Sequence, residues 1–132
     1  HCIQCCREAM ARNYVPEVAL ACLLHDGSEA YLADVTRPVK KNMTMYLQIE
    51  EQLQNMIYHK FLGYVPEGEE AVLVKNIDDA CLYYEFDHFM GEKLFPVEPV
   101  MMGSPSYEVQ PMKDVEEEFL ALYHQVKKQM EK

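Results

Sequence analysis

The sequence predicts an all-α fold, a bundle of about five to six helices, and three observations carry that reading. Apolar residues recur at three- and four-residue spacing through most of the 132 positions. No stretch alternates strongly between apolar and polar side chains, as a half-buried strand does. Proline, glycine or asparagine falls at the breaks between the periodic stretches.

Residues 2 to 13, CIQCCREAMARN, read as a first helix with Ile3, Cys6 and Met10 on one stripe, and Asn13 stops it. Pro16 opens a second, PEVALACLLHD, because a first helical position has no use for the N–H that proline lacks. Residues 18 to 24 are all apolar, so this helix is enclosed by the others and central. GSEAYLAD reads as one or two short helical turns, and VTRPVKKN as an ordered loop around Pro38. An amphipathic helix from Thr44 to Leu62 points Tyr46, Ile49, Leu53, Met56, Ile57 and Phe61 inward. After the break GYVPEGEE, a helix from Glu69 to Met90 carries Leu73, Ile77, Ala80 and Tyr84 on one stripe, and Val74, Asp78, Cys81 and Glu85 on a second inward face. Prolines at 96, 99, 105 and 111 make residues 91 to 112 an irregular loop. A last helix, 113 to 130, buries Val115, Phe119, Leu122 and Val126. The whole, 1 to 132, is expected to be one domain, and a helical pattern already running at residue 2 implies an upstream portion.

With 12 basic against 22 acidic residues the net charge is -10, which repels phosphate backbones and anionic lipid. Nucleic-acid polymers and membranes are therefore excluded as partners, and the longest apolar runs are far short of a membrane span. Five cysteines, at 2, 5, 6, 22 and 81, form an odd set without secretory cues, so reduced thiols in a cytoplasmic protein are expected. HCIQCC at the start has no second Cys-x-x-Cys pair to complete a structural zinc site. Its thiols read as packing, with Cys22 and Cys81 near the outer shell of any site at His25 and Asp78. A zinc module built on Cys2, Cys5 and Cys6 is the alternative.

LLHDGSEAYLAD, residues 23 to 34, is the most informative stretch. A histidine and an aspartate at the end of an apolar helix lose solvation and need compensation, which a divalent ion bound by imidazole nitrogen and carboxylate oxygen provides. If helical geometry continues, Glu29 shares the face of His25 and Asp26. The alternative is that His25 caps the helix C-terminus and Asp26 begins a turn. Asp78, an inward carboxylate that also needs a partner, favours the ion; Asp79 is read as facing solvent. His59, His88 and His124 lack an acidic pattern and read as surface residues.

ACLLHDGSEAYLADVTRPVKK resembles the LHDxxEAYLGDxxxPxK block of the HD superfamily of metal-dependent phosphohydrolases, in a bacterial and phage branch related to the 5'-deoxynucleotidases. VKNIDDACLYYE resembles that branch's VKxADxxxLxxE helix. The resemblance runs from residue 1 to about residue 90 and leaves the rest unmatched. It implies an all-helical HD domain with His1, His25, Asp26 and Asp78 as ligands of one divalent ion (Mn, Co, Fe, Ni, Zn or Mg). It further implies Glu29 and Asp34 as catalytic residues near the attacking water, and a phosphate ester, such as a nucleotide monophosphate or similar small phosphorylated metabolite, as substrate. Arg37 and Lys40, from the densest basic cluster of an acidic chain, are the candidate substrate-binding residues. A homodimer is expected from the relatives and from the Met-rich stretch 90 to 112. The competing reading is a non-catalytic HD domain, its metal structural or absent, serving as an interaction module.

Overall fold

A computed structural model describes residues 1–132 and is all-helical, without strands. Seven helical segments follow one another: α1 (Cys2–Ala11), α2 (Pro16–Leu24), α3 (Glu29–Leu32), α4 (Arg37–Lys40), α5 (Thr44–Phe61), α6 (Gly68–Met90) and α7 (Met112–Met130). Two of them, α3 and α4, are single turns. No helix is long and apolar enough to cross a membrane.

α2 is the axis of the fold. Every residue from Val18 to Leu24 is buried, and the helix packs against α1, α6, α7 and α5. Cys5, Cys6 and Ala9 of α1, Val74, Ile77 and Cys81 of α6, and Leu122 and Val126 of α7 complete the core around it. Tyr58 and Leu62, at the end of α5, close it.

The connection between α1 and α2 decides where the site forms. Asn13 adopts a left-handed φ of 60°, which asparagine tolerates better than most residues. With it, the Tyr14 N–H reaches the Ala9 carbonyl and the Asn13 N–H the Met10 carbonyl, the double closure of a Schellman motif. A turn this short makes α1 and α2 an antiparallel hairpin. The start of α1 therefore lies beside the end of α2, and the rings of His1 and His25 stand 5.3 Å apart between centroids.

Three expectations are corrected. VTRPVKKN is not only loop: Arg37–Lys40 form a helical turn with Pro38 in its first turn, where proline's fixed φ is an asset. The inward stripe of α5 is out of phase, since Ile49 and Met56 are exposed and Tyr58 is the buried residue. This helix lies across the surface and touches α2 with its second half, so periodicity marked it as a helix without telling which face is covered. Val115 is exposed for the same reason, at the free first turn of α7.

The irregular stretch between α6 and α7 is strapped down by a residue with no place in the sequence reading. Glu8 is 2% exposed, and its carboxylate accepts the Met102 and Gly103 N–H groups at 2.9 and 2.6 Å and pairs with Arg12. Arg12 in turn donates to the Val100 carbonyl.

Candidate metal centre

The site is assembled where three helices meet. His1 is the N-cap of α1, His25 the C-cap of α2, Asp26 follows it, and Asp78 stands midway along α6. The end of α2 is held by α5: the Gln54 amide donates to the Leu24 carbonyl at 2.8 Å and accepts the Ser28 N–H at 3.0 Å. That satisfies backbone groups a helix end otherwise leaves open. Gly27 lets this turn pack closely, since a Cβ there would stand 3.2 Å from Ile57 and 3.1 Å from the Leu24 carbonyl oxygen, contacts that only a small shift of the neighbours would relieve.

Both histidines are oriented by the ring nitrogen that faces away from the centre. His25 Nδ1 donates to the Cys22 carbonyl at 2.6 Å; a carbonyl only accepts, so this fixes the proton on Nδ1. His25 Nε2 is buried and makes no hydrogen bond. His1 Nδ1 lies 2.9 and 2.8 Å from the two oxygens of Glu85, and its Nε2 faces Asp78 Oδ1 at 2.8 Å. A carboxylate or carbonyl behind the imidazole, fixing the tautomer and leaving Nε2 forward, is the usual support of a metal-ligating histidine.

The separations test whether an ion fits. Around an ion with ligand bonds of about 2.1 Å, adjacent donors lie ~3.0 Å apart and opposite donors ~4.2 Å. His1 Nε2 to Asp78 Oδ1 is 2.8 Å, His25 Nε2 to Asp78 Oδ1 3.2 Å, and His25 Nε2 to Asp26 Oδ2 3.3 Å. His1 Nε2 to Asp26 Oδ2 is 3.9 Å, near an opposite pair. Together with the orphaned His25 Nε2, these spacings and the mixed nitrogen and oxygen donor set fit a divalent ion between His1, His25 and Asp78, with Asp26 alongside at 3.3 Å from His25 Nε2.

Protons occupy the centre in the metal-free protein. Burial works against a charge on His1, but its hydrogen bonds to Asp78 and Glu85 outweigh that and raise it to about 10. His25 is likewise opposed by burial, yet Asp78, Cys2 and Asp26 raise it to about 11. Its Nε2 lies 3.2 Å from Asp78 without hydrogen-bond geometry, so it is the nearby negative charge that holds the proton on His25. Burial would raise Asp78, but the two imidazoles hold it far below the usual carboxylate range.

The other predicted residues are distributed around this centre. Glu29 lines a cleft with His25, Asp26 and Lys40; partial burial, then Asp26 and Asp34, raise its carboxyl to about 7. Asp34 follows Ala33, which holds a φ of 76° and whose carbonyl accepts the Tyr46 hydroxyl at 2.8 Å. Arg37 reaches Asp78 at 3.5 Å and Asp79 at 3.1 Å, while Lys40 is paired with Glu50 at 3.0 Å. Asp79 is thus engaged by Arg37 and Lys75 instead of simply facing solvent. His59, His88 and His124 are exposed. Among the thiols, Cys6, Cys22 and Cys81 are buried in the core. Two thiols reach the centre: buried Cys5, with its sulfur 3.5 Å from His1 Nε2, and half-buried Cys2, 3.8 Å from Asp26 Oδ2.

Glu85 is the residue at this centre that sequence reasoning left without a role. Its place two turns after Asp78 on the same inward face was visible, but its partner His1 lies 84 residues away. Comparison of the chain with protein-family models, with curated proteins and with solved structures found no match.

Proposed function

We propose that the chain is a metal-dependent phosphohydrolase of the HD kind, acting on a phosphate ester such as a nucleotide monophosphate or a similar small phosphorylated metabolite. One observation carries the reading: His1, His25 and Asp78, distant in the chain, bring donor atoms together around an unpartnered buried nitrogen, with Asp26 3.3 Å from that nitrogen. A divalent ion held by these four supplies Lewis acidity toward a phosphoryl oxygen and toward water.

The remaining work falls to the chain's own groups. Glu29, with its carboxyl near 7, changes protonation at neutral pH and so exchanges a proton with the attacking water or the leaving oxygen. Asp34 helps keep it there by adding negative charge beside it. Arg37 and Lys40 already lie beside the ligands and hold carboxylates, Asp79 and Glu50, which a phosphate dianion displaces with stronger charge-assisted hydrogen bonds. Free thiols throughout suit a reducing, cytoplasmic compartment.

The test is turnover of a panel of phosphomonoesters and nucleotides by protein loaded with Mn. Wild type is expected to release phosphate, and Asp26→Ala to lose that activity with its fold intact by circular dichroism. Undiminished turnover by Asp26→Ala refutes the mechanism. Tight metal binding without turnover of any phosphate ester supports the interaction-module reading instead.

A further inference from the structure

His1 and Cys5 are one helical turn apart, joined by a hydrogen bond from the Cys5 N–H to the His1 carbonyl at 2.9 Å. Residues so spaced share a face of the helix. The donor atoms of His1, Cys5, His25 and Asp78 all lie within 4.8 Å of one another. In a tetrahedral zinc site, with bonds of about 2.3 Å to sulfur and about 2.0–2.1 Å to nitrogen and oxygen, sulfur and nitrogen stand ~3.5 Å apart and nitrogen and oxygen ~3.3 Å. Here Cys5 Sγ is 3.5 Å from His1 Nε2 and His25 Nε2 is 3.2 Å from Asp78 Oδ1, while His1 Nε2, 2.8 Å from the same oxygen, has to move out by about 0.5 Å to complete the tetrahedron. His25, whose side chain is 9% exposed, aims its unpartnered Nε2 into the same space. Cys2 belongs to a different set of neighbours: its sulfur lies 3.8 Å from Asp26 Oδ2 and 4.0 Å from His25 Nδ1, the ring atom committed to the Cys22 carbonyl, and it is not among these four donors.

We propose that Cys5 is a metal ligand, and that His1, Cys5, His25 and Asp78 form a closed tetrahedral site for a thiophilic divalent ion, zinc foremost. The proposal rests on the metal-centre reading above and deepens it by adding a second donor set. As the sulfur–zinc bond forms, the S–H bond breaks and its proton leaves to solvent. Oxygen-preferring ions such as Mn and Mg have no use for the thiolate and take Asp26 instead, which keeps positions open for water and substrate. Zinc drawn to Cys5 fills four positions with protein donors and leaves none for chemistry, as in structural zinc sites. Zinc therefore holds the protein in a non-hydrolytic form, and Cys5 is the residue that discriminates.

The experiment is zinc-edge X-ray absorption on the wild-type protein loaded with one equivalent of zinc, together with Co titrations followed by ultraviolet and visible absorption. One sulfur at about 2.3 Å from zinc and a thiolate-to-cobalt charge-transfer band are expected. The band should vanish in Cys5→Ala, which still binds Co, and persist in Cys2→Ala. Absence of a sulfur shell, or a band that survives in Cys5→Ala, overturns the proposal. The wild-type absorption measurement decides the matter even if Cys5→Ala fails to fold. Mn-supported phosphatase activity without a sulfur shell overturns the role of Cys5 alone, whereas failure to bind any of these ions overturns the metal centre with it.

Discussion

Removing the carboxylate of Glu85 separates holding a ligand in place from being one. Glu85 brings both oxygens within 2.9 Å of His1 Nδ1 and touches none of the four donor atoms that face the ion. Loss of such a supporting partner lowers metal affinity by about 10–100-fold, or ~1.4–2.7 kcal/mol. Glu85→Gln keeps an acceptor for the Nδ1 proton and loses only charge, so it belongs at the lower end, and Glu85→Ala at the upper. Proton competition modifies the effect. Glu85 helps raise His1 to about 10, so removing it also weakens the proton that the ion must displace. The deficit is therefore partly masked at pH 7 and becomes larger as pH rises toward 9. Isothermal titration calorimetry with Mn at both pH values, in buffers of different ionisation enthalpy, measures affinity and proton release together. At pH 7 the wild type should release close to two protons per ion, from His1 and His25, which both titrate far above neutrality, and Glu85→Ala fewer. Binding by Glu85→Ala within twofold of wild type at both pH values would refute the positioning role.

Three more outcomes are expected. Glu29→Gln should lower kcat by about 10²–10⁴-fold while leaving Mn affinity nearly unchanged, and the wild-type pH–rate limb near 7, set by Glu29, should disappear. In the metal-free protein, the stabilisation from His1 and His25 is complete below their ordinary value of 6.5 and is lost as pH rises through about 10 to 11. That from Asp78 is present above 3.8 and lost as pH falls. Thermal melts should show the metal-free Tm falling from pH 7 to 10, with the increment from added Mn growing as pH rises from 6 to 8; an increment that shrinks would contradict proton displacement. Glu8→Ala removes a buried carboxylate that two backbone N–H groups and Arg12 depend on and should cost about 3 kcal/mol. Limited proteolysis should then cut first between residues 98 and 107, and a cut pattern like wild type's would count against the strap.

What could be read from the sequence and what could not divides along a physical line. The seven-residue apolar run of α2 announces a central helix, because nothing but enclosure on all sides makes such a run favourable. A His-Asp pair at its end and an aspartate on the inward stripe of α6 are costly unless they meet something, so they were legible as a site. Glu85 sits on that same stripe, but a carboxylate that only orients a histidine leaves no local mark. Glu8 was illegible for a similar reason: its partners are backbone N–H groups of a distant irregular segment. Gln54 likewise caps a helix that lies 30 residues before it. On α5, periodicity cannot choose between two partly apolar faces when the helix contacts the core over half its length. Arg37 lies against Asp78 and Lys40 shares a cleft with His25 and Asp26, while the carboxylates that hold them, Asp79 and Glu50, were not foreseen.

The convergence of α1, α2 and α6 on one point has a consequence for chain topology. This chain has five cysteines and no disulfide, so nothing covalent ties its distant segments together. An ion gripping His1 and Asp78 closes a loop of 77 residues. If it restricts the unfolded chain as a permanent bridge does, a loop of that length corresponds to about 4.5 kcal/mol of lost disorder. Unlike a bridge of sulfur, that knot is tied and untied by the supply of metal and protons. The same three helices that meet at the proposed centre would then register, in their own cohesion, whether the ion has arrived.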